Sequence, residues 1–303
     1  MAVSKELRLL VGGRDWRGQA RTPRTAEGWE KPVEQRVFPT AWARTQTAGL
    51  VRSAVRHGLL KPTTWAVTAP VVEGLDHLDG LKGPVVFVAN HASHVDTPLI
   101  LGSLPHRLAR RVAVGAAADY FFDARWRAVL TALVINGFPV ERNGTGRRAV
   151  LARELAEDGW SLLLFPEGTR SQDGWMNPIR LGSAYLCCEL GIPAVPIAIR
   201  GSFAAMPRGR SWPVPGRPRV SVRYGRPLVP DEGESVRDFN SRLAPALARL
   251  WNEEDVGWYR SLRADSRTAL SGPTGPAGAA PWRRVWEAGR PLSGGGDAPR
   301  TWR

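Results

Sequence analysis

Pro84-Val85-Val86-Phe87-Val88-Ala89-Asn90-His91-Ala92-Ser93-His94-Val95-Asp96 is the stretch on which the reading of this chain turns. Its first half is a short, continuous apolar run rich in β-branched residues, the pattern of a strand buried on both faces of a sheet. Its second half switches to ionisable residues, and open α/β folds place their sites at the carboxyl ends of such strands. His91 and Asp96 are five residues apart, which on a regular helix sets them about 140° from each other. They meet only if His91 sits in a turn and Asp96 in the first turn of the next helix, so the pair predicts a strand-turn-helix junction. An imidazole takes a proton from an alcohol near neutral pH, and a carboxylate on its second nitrogen fixes the tautomer and stabilises the cation. Ser93 is a helix cap or a nucleophile, and no G-x-S-x-G elbow surrounds it. His94 stands three residues from His91, but no further Cys/His cluster completes a metal site, and none is expected.

Outward from this stretch a β/α alternation continues. Strands are expected near Val112–Ala116, Phe138–Val140, Ser161–Phe165, Ala194–Ile199 and Arg219–Tyr224. Helices are expected near Ala124–Val134, Thr145–Glu157, Leu181–Leu190 and Val236–Trp251, with Asp158-Gly159 and Gly191 as stops. The alternation implies an α/β fold, a mostly parallel central sheet with helices on both faces. Before it, Ala48, Val51, Val55 and Leu59 recur at helical spacing over Ala41–Leu60 among Arg44, Arg52, Arg56 and Lys61. That is a basic amphipathic helix, and a core-packed surface helix and a bilayer-lying one need the same moment. Trp42 and Trp65 are candidate interfacial anchors. Residues 1–40 read as an irregular extension, 41–69 as a membrane-proximal helical segment, 70–263 as the catalytic domain, and 264–303 as a disordered Gly/Pro/Arg-rich tail.

The 303 residues are 43% hydrophobic, enough for a substantial core, and carry a formal charge of +14. That charge favours anionic partners, yet the basic residues are scattered and lack the pattern of a nucleic-acid module, so no nucleic acid is expected. Cys187 and Cys188 are adjacent and fit neither a disulfide framework nor C-x-x-C chemistry, which points to a reducing compartment. No secretion signal is evident, and the longest apolar runs fall far short of the roughly 20 residues of a spanning helix. Membrane contact is therefore expected to be peripheral, on the cytoplasmic, inner face of the cell membrane.

Two further blocks follow strands. Phe165-Pro166-Glu167-Gly168-Thr169-Arg170-Ser171 offers a glycine whose neighbouring amides can approach an anion and a guanidinium that forks onto phosphate oxygens. Gly137-Phe138-Pro139-Val140-Glu141-Arg142 sets another arginine at a strand end.

Together these blocks, in order and with Ile192-Pro193-Ala194-Val195-Pro196-Ile197 as the fourth, resemble the glycerolipid acyltransferase family that includes 1-acylglycerol-3-phosphate acyltransferase. The likeness runs over about residues 70–230. It implies a glycerol-3-phosphate acyltransferase-like fold and transfer of a fatty acyl group from a thioester, acyl-CoA or acyl carrier protein, onto the hydroxyl of a lysophospholipid acceptor. It also implies His91 as general base, Asp96 as its orienter, and Arg142, Glu167, Gly168, Thr169 and Arg170 as the pocket for the acceptor's phosphate, with no cofactor. Glu167 is the odd member, since a carboxylate repels phosphate, and is expected to hold an arginine or a backbone amide in place. Phosphatidic acid is the default product, other lysolipids or glycerol 3-phosphate are alternative acceptors, and a thioester hydrolase using the same His-Asp pair is the rival. Family members often carry strongly apolar N-terminal helices, whereas this chain has only the modest 41–60 segment and an anionic membrane surface as the expected partner.

Overall fold

The computed structural model describes residues 38–140, 147–210, 212–263, 273–290 and 292. Residues 1–37 of the expected N-terminal extension lie outside them. Seven strands form one sheet: β1 Ala69–Glu73, β2 Val86–Ala89, β3 Val112–Ala117, β4 Gly137–Val140, β5 Ser161–Leu164, β6 Ala194–Arg200 and β7 Arg219–Tyr224. Their order is β1-β7-β6-β2-β5-β3-β4. From β6 to β4 neighbours are parallel, with Val86 opposite Leu162 on one side and Ala194 on the other. β7 runs antiparallel to β6 and parallel to β1. The sheet is thus mostly parallel, as its apolar runs required.

The helices are α1 Gln46–Val55, α2 Lys61–Val67, α3 Asp96–Ser103, α4 His106–Ala109, α5 Ala118–Phe121, α6 Arg125–Ile135, α7 Arg147–Glu157, α8 Gly182–Leu190, α9 Ser202–Ala205, α10 Val236–Arg263 and α11 Pro281–Ala288. Strand alternation sorts the core onto two faces. Phe87 and Ala89 pack with Leu99 and Ile100 of α3, while Val86 and Val88 pack with Cys187 of α8 and with Phe239 and Leu243 of α10. β2, buried at all four positions, is the centre of both.

Three expectations are corrected. β1 crosses the expected boundary at residue 69. It pairs with β7 at the sheet edge, where Pro70 is tolerated, and being half-buried it carries neither a strict alternation nor a long apolar run. The last core helix continues past Trp251 to Arg263. Within the expected disordered tail, residues 281–288 are helical, started by Pro281 in the first turn. No residue of α11 is buried, and it is held by polar contacts that composition cannot reveal.

The N-terminal helical segment is inverted relative to an ordinary surface helix. A π turn at Arg56–Leu60 joins α1 to α2. Arg52 and Arg56 are 3% exposed, while Leu50 is 72% and Leu59 57% exposed. The expected basic face is turned inward, because the arginines satisfy carbonyls that end other helices. Arg52 Nε donates to Leu133 O at 2.9 Å near the end of α6, and its Nη2 to Ala43 O. Arg56 Nη1 donates to Ala109 O at 2.6 Å at the end of α4. Burial, with Arg56 and Arg44 nearby, pulls the Arg52 guanidinium down to about 10. Trp65 is a packing residue rather than an interfacial anchor: a Cβ on Gly102 of α3 would lie 2.8 Å from its ring. Replacing Arg52 by leucine strands these buried carbonyls and should lower the unfolding free energy by about 1–3 kcal/mol, read from urea midpoints. An unchanged midpoint would refute this docking role.

Candidate active site

Asn90 directly follows β2, and its side-chain amide continues the ladder: Nδ2 donates to Ile199 O at 2.9 Å and Oδ1 accepts from Ile199 N at 2.7 Å. The chain then turns, and Asp96 is the first residue of α3. Its Oδ2 accepts from His91 Nδ1 at 2.9 Å and from the amides of Ala92 and Ser93 at 2.8 Å each. One fully buried carboxylate therefore folds the turn and orients the imidazole together. With Nδ1 engaged by Asp96, Nε2 is the ring nitrogen left for another partner. The ring stacks on Phe165 with centroids 4.1 Å apart.

Ser93 is buried and its hydroxyl donates to Met206 O at 2.8 Å, which commits it to structure. The described cap of α3 is Val95, so Ser93 does not fill the expected cap position. His94 stacks on Tyr120. Burial, then the nearby positive charge of Arg170 and the proximity of His91, pull its pKa down to about 4. Among the described residues no group of three His, Cys, Asp or Glu side chains is gathered to hold a metal.

The loop after β5 is bonded to the His91 turn at two points. Glu167 Oε1 accepts from His91 N and Oε2 from Asn177 N, both at 2.8 Å, and Ser171 N donates to His91 O at 2.8 Å. Glu167 thus holds backbone amides. Burial pushes its carboxyl up to about 7, against the pull of those two amides. Gly168 takes φ +75°, a conformation that favours glycine, and the guanidinium of Arg180 lies 3.0 Å from where a Cβ would project. Arg170 lies close enough to depress His94. Thr169 is half-buried in the same loop. Arg142 lies outside the described residues. The sequence reading missed Arg180, whose only signal was an arginine before α8, and Asn177, which carries no motif at all.

The acyltransferase family model matches residues 69–200, which span β1 to β6 and hold both bonded segments. Residues 69–200 are thus similar to an acyltransferase-family domain. Around this domain the chain is 26% identical over 177 residues to the 1-acyl-sn-glycerol-3-phosphate acyltransferase of Limnanthes douglasii, covering 55% of this chain and 58% of that one. It is 30% identical over 169 residues to the 1-acyl-sn-glycerol-3-phosphate acyltransferase of Chlamydomonas reinhardtii, covering 54% and 49%. The chain thus spans about half the length of these relatives. The crystal structure of the 1-acyl-sn-glycerophosphate (LPA) acyltransferase PlsC from Thermotoga maritima superposes with a TM-score of 0.53 at 24% identity, covering 77% of this chain and 86% of that one, a likeness of fold.

The depressed His94 predicts acid sensitivity of the fold. Between about 4 and its ordinary 6.5, the folded imidazole binds fewer protons than the unfolded one, so stability is lost as pH falls through that window. Glu167, raised from 4.5 to about 7, acts with the opposite sign, its stabilisation being lost as pH rises through that range. The test is therefore a difference: His94→Gln should lose less stability than wild type between pH 6.5 and 5 in urea unfolding, and equal losses would refute the assignment.

Proposed function

We propose that this protein transfers a fatty acyl group from an acyl thioester to the free hydroxyl of 1-acylglycerol 3-phosphate, giving phosphatidic acid. The carrying observation is the pair of buried Asp96 and half-buried His91, bonded on both sides of His91 to the Glu167–Ser171 loop. In this reading His91 Nε2 takes the acceptor hydroxyl's proton while that oxygen attacks the thioester carbon. The C–S bond then breaks and the leaving thiolate takes up the proton. Asp96 stabilises the imidazolium in between. A thiol of pKa about 8.5 leaves readily, so alignment of the two substrates and oxyanion stabilisation supply most of the acceleration. No covalent acyl-enzyme is required, in keeping with a Ser93 hydroxyl spent on Met206.

Arg142, Gly168, Thr169 and Arg170 would receive the acceptor's phosphate, with Glu167 shaping the loop and Arg180 adding charge beside Gly168. A carboxyl near 7 is partly neutral at physiological pH, which moderates its repulsion of phosphate. Hydrolysis of the thioester needs no such pocket, which favours transfer over the hydrolase alternative. Acyl-CoA and acyl carrier protein both fit as donors. With labelled palmitoyl-CoA and a panel of lysolipids and glycerol 3-phosphate, acylated product should form preferentially on 1-acylglycerol 3-phosphate. His91→Ala should cut turnover by about 10²–10⁴-fold. Free fatty acid as the sole product, or near-normal turnover of His91→Ala, would defeat the scheme.

The acceptor lives in a bilayer, and the exposed Leu50, Val51 and Leu59 on the α1–α2 segment supply an apolar face for peripheral docking. Among the described residues no helix is long and apolar enough to cross a membrane. With Arg52 and Arg56 turned inward, attachment at this face rests on apolar burial more than on charge. Leu50→Asp and Leu59→Asp should therefore weaken co-sedimentation with phosphatidylglycerol vesicles more than 0.5 M salt does with wild type, and the reverse ranking would assign attachment to electrostatics.

A further inference from the structure

The segment 273–290 lies beyond the family match at 69–200, yet it is bonded to the loop that carries the site. The hub is Arg284 of α11. Its Nε donates to Asp173 Oδ2 at 2.6 Å, Nη2 to Thr274 O at 2.9 Å and Nη1 to Pro276 O at 3.3 Å, and its own carbonyl accepts from Trp175 Nε1 at 3.0 Å. Asp173 is two-sided: Oδ1 accepts from the Ser171 hydroxyl at 3.1 Å and from Trp175 N at 3.2 Å. Ser171 Oγ in turn accepts from Gly174 N at 2.8 Å. From Ser171 one hydrogen bond reaches the carbonyl of His91. A chain of direct contacts thus runs from α11 through Asp173 and Ser171 to the residue beside Arg170 and to the backbone of His91.

Packing reinforces the docking and leaves it dependent on that hub. Ala288 lies against Gly174, where a Cβ would come within 2.5 Å, and Gly275 lies against the Trp175 ring at 2.6 Å from its own virtual Cβ. Because α11 buries no residue, apolar area alone offers little to hold it there. Charge-assisted bonds from one guanidinium are the strongest contacts it makes.

We propose that Arg284 is a positioning residue for the acceptor's phosphate: through Asp173 and Ser171 it fixes the loop that presents Arg170. It does not touch the reacting atoms. This rests on the assignment of Arg170 to the phosphate pocket made above. The consequence is specific to one substrate, because a slackened loop misplaces the phosphate-binding cation while leaving the thioester's own contacts alone.

The test is steady-state kinetics on the full chain with acceptor and donor varied separately, for Arg284→Ala, Arg284→Lys, Asp173→Asn, Arg170→Ala and the Arg170→Ala/Arg284→Ala double variant. Arg284→Ala should raise the acceptor KM roughly tenfold, the scale of one lost charge-assisted contact, with the donor KM within about twofold of wild type. Lysine should restore part of that loss. In the Arg170→Ala background the second substitution should add no further acceptor effect, since the residue it positions is gone. If Arg284→Ala fails to fold, Asp173→Asn, which keeps the shape and removes the charge, must reproduce the acceptor-selective rise. An acceptor KM within twofold of wild type in the folded variants, or additive losses in the double variant, would overturn the positioning role and leave α11 as a stabilising strap. An unaltered acceptor KM in Arg170→Ala would instead reject the pocket assignment, and this inference with it.

Discussion

The Asp96 carboxylate is the constraint on which the rest of the site depends. It is fully buried, which is costly for a carboxylate, so the bonds gathered by its Oδ2 carry the weight, Oδ1 having no hydrogen-bond partner among the described residues. Three N–H groups converge on one oxygen, two from the turn backbone and one from the His91 ring. The two amide contacts close the turn between β2 and α3, and the third uses the closed turn to aim the imidazole. Removing the carboxylate would therefore undo the turn's geometry and the ring's orientation together.

A second layer keeps that turn registered against its neighbours. Asn90 extends the β2–β6 ladder by one side-chain rung, and Glu167 and Ser171 clasp the two backbone groups of His91. Because both clasps come from the loop after β5, the candidate base and the Glu167–Ser171 loop are one hydrogen-bonded unit. Glu167, which by charge alone belongs nowhere near a phosphate, is explained by this role. Its two oxygens serve two amides, and its burial raises its proton affinity.

The periphery follows a different logic. The α1–α2 segment uses buried arginines as caps for the ends of α4 and α6, and so leaves its leucines outside. α11 does the converse, using a partly exposed arginine to reach the loop after β5 without burying any residue of its own. In both cases a guanidinium's fan of donors substitutes for apolar area, which suits a chain whose positive charge is almost all arginine.

The amino-acid sequence alone determined the sheet and its site edge. PVVFVAN, SLLLF and the run at 194–199 have no polar face and must be buried on both sides, and the five-residue spacing of His91 and Asp96 admits only a turn entering a helix. Those are local signals, set by side-chain period and chain geometry. Which way the N-terminal helix faces was not among them, since a periodic moment is identical whether the apolar side meets a core or a lipid, and only the carbonyls of Leu133 and Ala109 choose. Nor were the strand at 69–73 and the helix at 281–288, which exist because β7 and Asp173 stand where they do. Partners more than a hundred residues away stabilise those segments, and no window along the chain contains both sides of such a contact.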